Sequence, residues 1–147
     1  MAFDIVPLVD ASEHVDTVTA WLLDEWPDPA VSLQVRRTRL LDSQDCPPTL
    51  VAVSAGLPSG VLGFARFRRD GDEHASLFID VLYVHPSARR QGLGSTLLAV
   101  GLVAAAAFEQ RLFVYTAVAP WYQRRGWSVV QAGTAADHFV LQRSLAV

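Results

Sequence analysis

The stretch VHPSARRQGLGSTLL, Val84 to Leu98, joins an apolar run to a longer one through two arginines and two glycines. A strand that turns through Gly-x-Gly into a helix turns free backbone N–H groups and the positive end of a helix dipole toward one point. That is a seat for phosphate. Gly92 and Gly94 allow close backbone approach to a pyrophosphate, and Arg89 and Arg90 can add charge-assisted hydrogen bonds. The plain alternative is a strand-to-helix turn with surface arginines; the arginines together with the flanking strand and helix favour phosphate binding. Two common nucleotide motifs do not fit. A dinucleotide fingerprint needs Gly or Ala where Leu97 stands, and it opens on an N-terminal strand rather than past mid-chain. A phosphate loop needs lysine, and all twelve basic residues here are arginine. The same absence rules out a lysine Schiff base.

Two further residues could do chemistry. Asp80 interrupts the apolar run LFIDVLYV, where a carboxylate is costly unless it is paired or used. Burial would raise its pKa toward that of a useful base. An ion pair with Arg66 or Arg68 on the preceding strand is the equal alternative. Tyr122 lies in APWYQRRGW and is either a proton donor or a packing aromatic beside Trp121. Asp24, Glu25 and Asp28 either draw a cationic amine or form a solvated helix end. The four histidines show no metal-ligand spacing, and Cys46 is alone, so no metal site and no internal disulfide are expected.

These residues need elements to hold them. Strands are expected at Phe3–Leu8, at TLVAVS and GVLGFARFRR with a Pro-Ser-Gly turn between them, and at SLFIDVLYV. Further strands are expected at RLFVYTAV, WSVVQ and DHFVLQRSL. Helical spacing predicts helices over EHVDTVTAWLLDEW, VSLQVRRTRLLDS, about Gly94 to Glu109, and APWYQRRGW. The helix after the glycine turn carries no polar residue from Leu97 to Phe108. It should be covered on more than one side, by the sheet and another segment or by a second subunit, and a homodimer is the preferred expectation. The whole is one α/β (α+β) domain over residues 1–147, with a sheet of six or seven strands.

Composition narrows the classes. The chain has 147 residues and a net charge of −3, enough for one core and wrong for a general nucleic-acid binder. The early charged residues Asp4, Asp10, Glu13, His14 and Asp16 argue against a signal peptide, and the longest apolar run is too short to span a membrane. A cytoplasmic protein with neither nucleic-acid nor membrane partners is expected.

The motifs resemble those of the GNAT superfamily of acyl-CoA-dependent N-acetyltransferases. Its signature (Gln/Arg)-x-x-Gly-x-(Gly/Ala) is met by Arg89, Gly92 and Gly94. Its second motif, a strand and a short helix with a tyrosine and a Gly-aromatic end, is met by LFVYTAVAPWYQRRGW, with Tyr122 at the tyrosine position. The resemblance implies a mixed, mostly antiparallel sheet flanked by about four helices, with two central strands splayed to admit acetyl-CoA. The strand at Phe78–Val84 would part from that at Leu112–Thr116 and leave backbone groups of Leu82, Tyr83 and Val84 to pair with the pantetheine arm. The pyrophosphate would rest on Arg89, Arg90, Gln91, Gly92, Leu93, Gly94 and Ser95. An amine of a small molecule or peptide would attack the thioester. A backbone amide near Leu82 would face the oxyanion, Tyr122 would act as general acid toward the departing thiolate, and Asp80 would act as base. A non-catalytic CoA-binding regulator, and a nucleotide-binding protein of another fold, are the alternatives.

Overall fold

A computed structural model describes residues 2–42 and 45–145. Its seven-stranded sheet runs in the order β1-β2-β3-β4-β5-β7-β6. The strands are β1 Asp4–Pro7, β2 Leu50–Ser54, β3 Leu57–Phe67, β4 Ser76–Val84, β5 Arg111–Thr116, β6 Ser128–Ala132 and β7 Phe139–Ser144. Neighbours are antiparallel throughout except β4 and β5, which run parallel. Four α-helices lie among the described residues: α1 Val15–Glu25, α2 Leu33–Leu41, α3 Leu93–Ala106 and α4 Ala119–Gln123. The mixed sheet and the four helices are those expected, and the sheet takes the larger strand number.

Local chemistry sets the helix positions. Val15, Val18, Thr19 and Leu22 put the buried stripe of α1 at spacings of three and four residues, and Pro27 stands just past its end. Ser32 caps α2, its Oγ accepting the Val35 N–H at 3.1 Å. The two helices cover one face of β2 and β3, where Leu8, Val15, Val18, Leu22 and Leu40 pack on Val51 and Val61. On the other face α3 lays Leu97, Leu98 and Ala105 over Leu62, Leu77, Leu112 and Leu141. Each such leucine contributes about 1.5–3 kcal/mol by leaving water. Gly101 lets α3 close on β3, because a Cβ there would lie 3.1 Å from both Leu62 methyls.

Two expectations are corrected, the place of the β2–β3 turn and the Asp80 ion pair. The β2–β3 turn is not at Pro58-Ser59-Gly60 but at Ala55-Gly56, both with positive φ (53° and 76°). Pro58, Ser59 and Gly60 belong to β3, where Val53 pairs with Pro58 and Ala52 with Gly60, so Ser59 is an extra residue in the ladder. Its carbonyl turns to the His85 N–H instead (2.9 Å). The outer face of α3 has no second cover among the described residues: Leu97, Leu98, Gly101 and Ala105 are buried, whereas Val103 is 76% exposed. Finally, Asp80 makes no pair with Arg66 or Arg68. Arg66 is engaged by Glu109 at 2.8 Å and by the Asp45 carbonyl at 2.7 Å. No helix among the described residues is long and apolar enough to cross a membrane.

Candidate active site

The site begins where the sheet stops being continuous. β4 and β5 pair only at Phe78–Phe113 and Ile79–Val114. Toward the β3 side, Ile79 pairs with Phe64 and Val81 with Gly63, so Asp80 is the extra residue of a bulge. The bulge bends β4 where it leaves β5, and it aims a side chain that a regular strand would not. From Asp80 to Val84, β4 has no partner on its β5 side. Its backbone groups there form an internal edge, which seeks hydrogen bonds from something extended. Leu82, Tyr83 and Val84, expected at the gap, stand in it.

One of those groups is already engaged. Arg89 Nε donates to the Val84 carbonyl at 2.8 Å, so Arg89 braces the end of β4 against the turn rather than simply facing outward. His85 is built into the same corner. Its Nδ1 accepts the Ser87 N–H at 3.2 Å, and its ring lies tilted against Trp21 with centroids 5.1 Å apart.

The turn itself has two residues in the left-handed region, Arg90 (φ 66°) and Gly92 (φ 75°). Gly92 occupies the N-cap of α3 and offers no capping side chain. The first intrahelical acceptor is its own carbonyl, taken by the Thr96 N–H at 3.1 Å. The amides of Leu93, Gly94 and Ser95 therefore have no intrahelical partner and face outward with the dipole. The two glycines do different work. Gly92 is needed for its conformation, whereas Gly94 is needed for its emptiness. A Cβ on Gly94 would meet Trp121 at 3.6 Å and Val84 at 3.8 Å, ordinary contacts, and would fill the floor of the groove.

Sequence reasoning missed the opposite wall. Arg125 lies flat on Trp121, 3.7 Å from the ring centre. Its Nε donates to Ser95 Oγ at 3.1 Å, and its NH1 donates to the Trp121 carbonyl at 2.7 Å. A cation is thereby fixed beside the α3 amides by three contacts. No local signal marks Arg125, since its partners are four and thirty residues away. A small cavity of about 230 Å³ lies between these groups, lined by Arg89, Arg90, Gly92–Ser95, Trp121 and Arg125. It is followed by a cleft of about 670 Å³ along Leu82, Val84, Gly94, Pro120 and Tyr122.

Tyr122 projects into that cleft from α4. It is 5% exposed and is held edge-on by Trp121 and Trp127, at 4.9 and 5.3 Å between centroids. Burial pushes its pKa up to about 12, against the lowering influence of Arg125. The phenol is therefore protonated at neutral pH.

A third cavity, of about 660 Å³, opens on the α1–α2 side of the gap. Ala117 and Val118, just past β5, line both this cavity and the Tyr122 cleft, so the two meet through the split sheet. Asp80 faces the α1–α2 cavity, with Arg36 and Arg39 of α2 nearby and Tyr115 and His138 across from it. Glu25 and Asp28 also line it, as the acidic run at the end of α1 suggested; Asp24 does not. Asp80 is exposed to water, with protein atoms crowding part of the space around its carboxyl. That partial desolvation raises its pKa, with Arg39 and then Arg36 opposing the rise. The carboxyl thus sits on one side of the gap and the phenol on the other.

The matching family is described as an acetyltransferase (GNAT) domain and covers residues 48–129. No curated protein matches the sequence. Among solved structures, an acetyltransferase of the GNAT family from Streptococcus pneumoniae superposes with a TM-score of 0.71 at 16% identity, covering 99% of this chain and 100% of that one. Ard1 from Thermoplasma volcanium gives 0.75 at 14% identity with both chains fully covered. The protein yncA from Salmonella typhimurium, solved with its cofactor acetyl-CoA, gives 0.68 at 20% identity, covering 100% of this chain and 95% of that one. The phosphate-ready turn, the split between β4 and β5 and the matched domain have one explanation: the chain belongs to the GNAT acetyltransferase family.

Proposed function

We propose that the protein transfers an acetyl group from acetyl-CoA to a primary amine. The observation that carries this reading is the gap from Asp80 to Val84, open at one end to the free α3 amides and at the other to Asp80. The residues fit the cosubstrate. The amides of Leu93, Gly94 and Ser95, with Arg90 and Arg125 beside them, would hold the pyrophosphate. The unpaired edge of β4 would pair with the amides of the pantetheine arm.

Acetyl-CoA supplies an activated acetyl group; the chain's own residues do the rest. An aliphatic ammonium has a pKa near ~10, so the acceptor must lose a proton before it can attack. Asp80, its affinity for protons raised, takes that proton directly or through water. A new N–C bond forms as the C–S bond breaks; the nitrogen gives up its second proton to water, and the sulfur leaves with the electron pair. Tyr122 then faces a developing thiolate. With its pKa about 12 against about 8.5 for a thiol, full proton transfer is uphill by several kcal/mol. Tyr122 therefore acts chiefly as a hydrogen-bond donor to the sulfur, and solvent returns the proton. Tyr122→Phe keeps the ring and the Trp121–Trp127 packing. We expect kcat to fall by roughly 10²–10³, the cost of losing one donor to a developing anion, with KM for acetyl-CoA nearly constant. Full kcat in that variant would remove Tyr122 from the mechanism.

The Asp80 assignment has a pH signature whose sign follows from burial. A carboxylate whose folded-state pKa is raised costs stability when ionised, and that cost disappears as pH falls through the raised value. Asp80→Asn should therefore leave the melting temperature at pH 7 unchanged or higher. Its rate should fall most at low pH, where few amines are neutral, and recover in part as pH rises. A loss of thermal stability with an unaltered pH–rate shape would make Asp80 structural. Arg36, Arg39, Glu25, Asp28, Tyr115 and His138 face the same cavity. The profile is therefore read as a wild-type-minus-variant difference.

The bare outer face of α3, with Val100 and Val103 exposed, supports a second copy as its cover. Light scattering should then give twice the chain mass; a monomer at high concentration would refute this.

A further inference from the structure

The cavity on the α1–α2 side contains two opposite charges that do not touch. Asp80 lies at the β4 bulge and makes no hydrogen bond or ion pair among the described residues. Arg39 of α2 lines the same cavity, attracts Asp80 through space, and likewise makes none. Arg36 is different, since its NH2 is tied to the Trp26 carbonyl at 2.7 Å. Both side chains reach water, and opposite charges that line one void without touching leave each free to take a charged partner. Here the void separates them, so a molecule carrying both signs would complete both.

We propose that the acceptor is a small zwitterion, an amine and a carboxylate in one molecule, with the amine at Asp80 and the carboxylate in the fork of the Arg39 guanidinium. This rests on the transferase reading above. The other charges restrict the choice further. Glu25 and Asp28 line the cavity at the end of α1, so an acidic peptide running outward would pass two like charges. A polyamine would suit those carboxylates but would meet Arg36 and Arg39.

The test measures thiol release from acetyl-CoA with matched acceptors. Glycine, alanine and glutamate are each compared with their α-carboxamides, alongside spermidine and a tetrapeptide opening with two aspartates. Rates are expressed per neutral amine, which removes the pKa difference within each pair. We expect the carboxylate member to be favoured by about tenfold or more in kcat/KM, the worth of a charged hydrogen-bonded contact. Arg39→Gln should reduce that preference to about threefold or less, and Arg39→Lys should restore part of it, with acetyl-CoA affinity unchanged in both. Equal use of the carboxamides, better use of spermidine or the acidic tetrapeptide, or an undiminished preference in Arg39→Gln would each overturn the proposal. So would acetyl-CoA binding with no acetylation anywhere in the panel. Failure to bind acetyl-CoA at all would instead bring down the transferase reading itself.

Discussion

The structure depends on a backbone ladder that stops early. β4 and β5 share two residue pairs and then part, although a parallel pair inside a sheet would ordinarily continue. Apart from the Val84 carbonyl, which Arg89 holds, the polar groups along the released edge must find water or a ligand. Two features keep the gap open. The bulge at Asp80 bends β4 as it leaves β5, and α4 with its Trp121–Tyr122–Trp127 stack stands beside the cleft. Because the gap passes through the sheet, a group bound on the α3 side can meet one bound on the α1–α2 side. The rest of the fold supplies walls for these two approaches.

The two approaches are built from different physics. The α3 side offers backbone amides, a helix dipole and a guanidinium held by packing, all fixed before any ligand arrives. Such prearranged groups need little reorganisation when charge binds. The α1–α2 side offers mixed side-chain charges on a short helix, which is anchored by Leu40 in the α1 cluster and whose polar links there are the surface pair Arg37–Asp16 at 3.0 Å and the Arg36–Trp26 contact. Exposed pairs contribute little to stability. The first side is suited to one invariable molecule, and the second can change its partner through a few substitutions.

How much of this was legible in the sequence follows from the range of each signal. The glycine turn was legible because its demands are local: a left-handed N-cap at Gly92 and an empty position at Gly94 lie two residues apart. Asp80 stood out because it breaks an apolar run. Its neighbours did not, because the bulge shifts the register at Gly63–Phe64 and the arginines above it come from α2, some forty residues earlier. Pro58-Ser59-Gly60 has turn composition, yet the ladder absorbs it by leaving Ser59 unpaired, while Ala55, a poor turn residue, takes the positive φ. Arg125 was invisible because its position depends on how α4 packs against α3.

The central claim is that the split sheet and the α3 turn seat coenzyme A. Calorimetric titration of acetyl-CoA into the wild type and Gly94→Val tests it most directly. A side chain at residue 94 meets only ordinary contacts from Trp121 and Val84, so the variant should remain folded, as circular dichroism can establish. It would nevertheless occupy the floor on which the phosphates must lie. The account predicts a one-to-one complex in the wild type and no detectable binding in the folded variant. Equal affinity in the two proteins would contradict it.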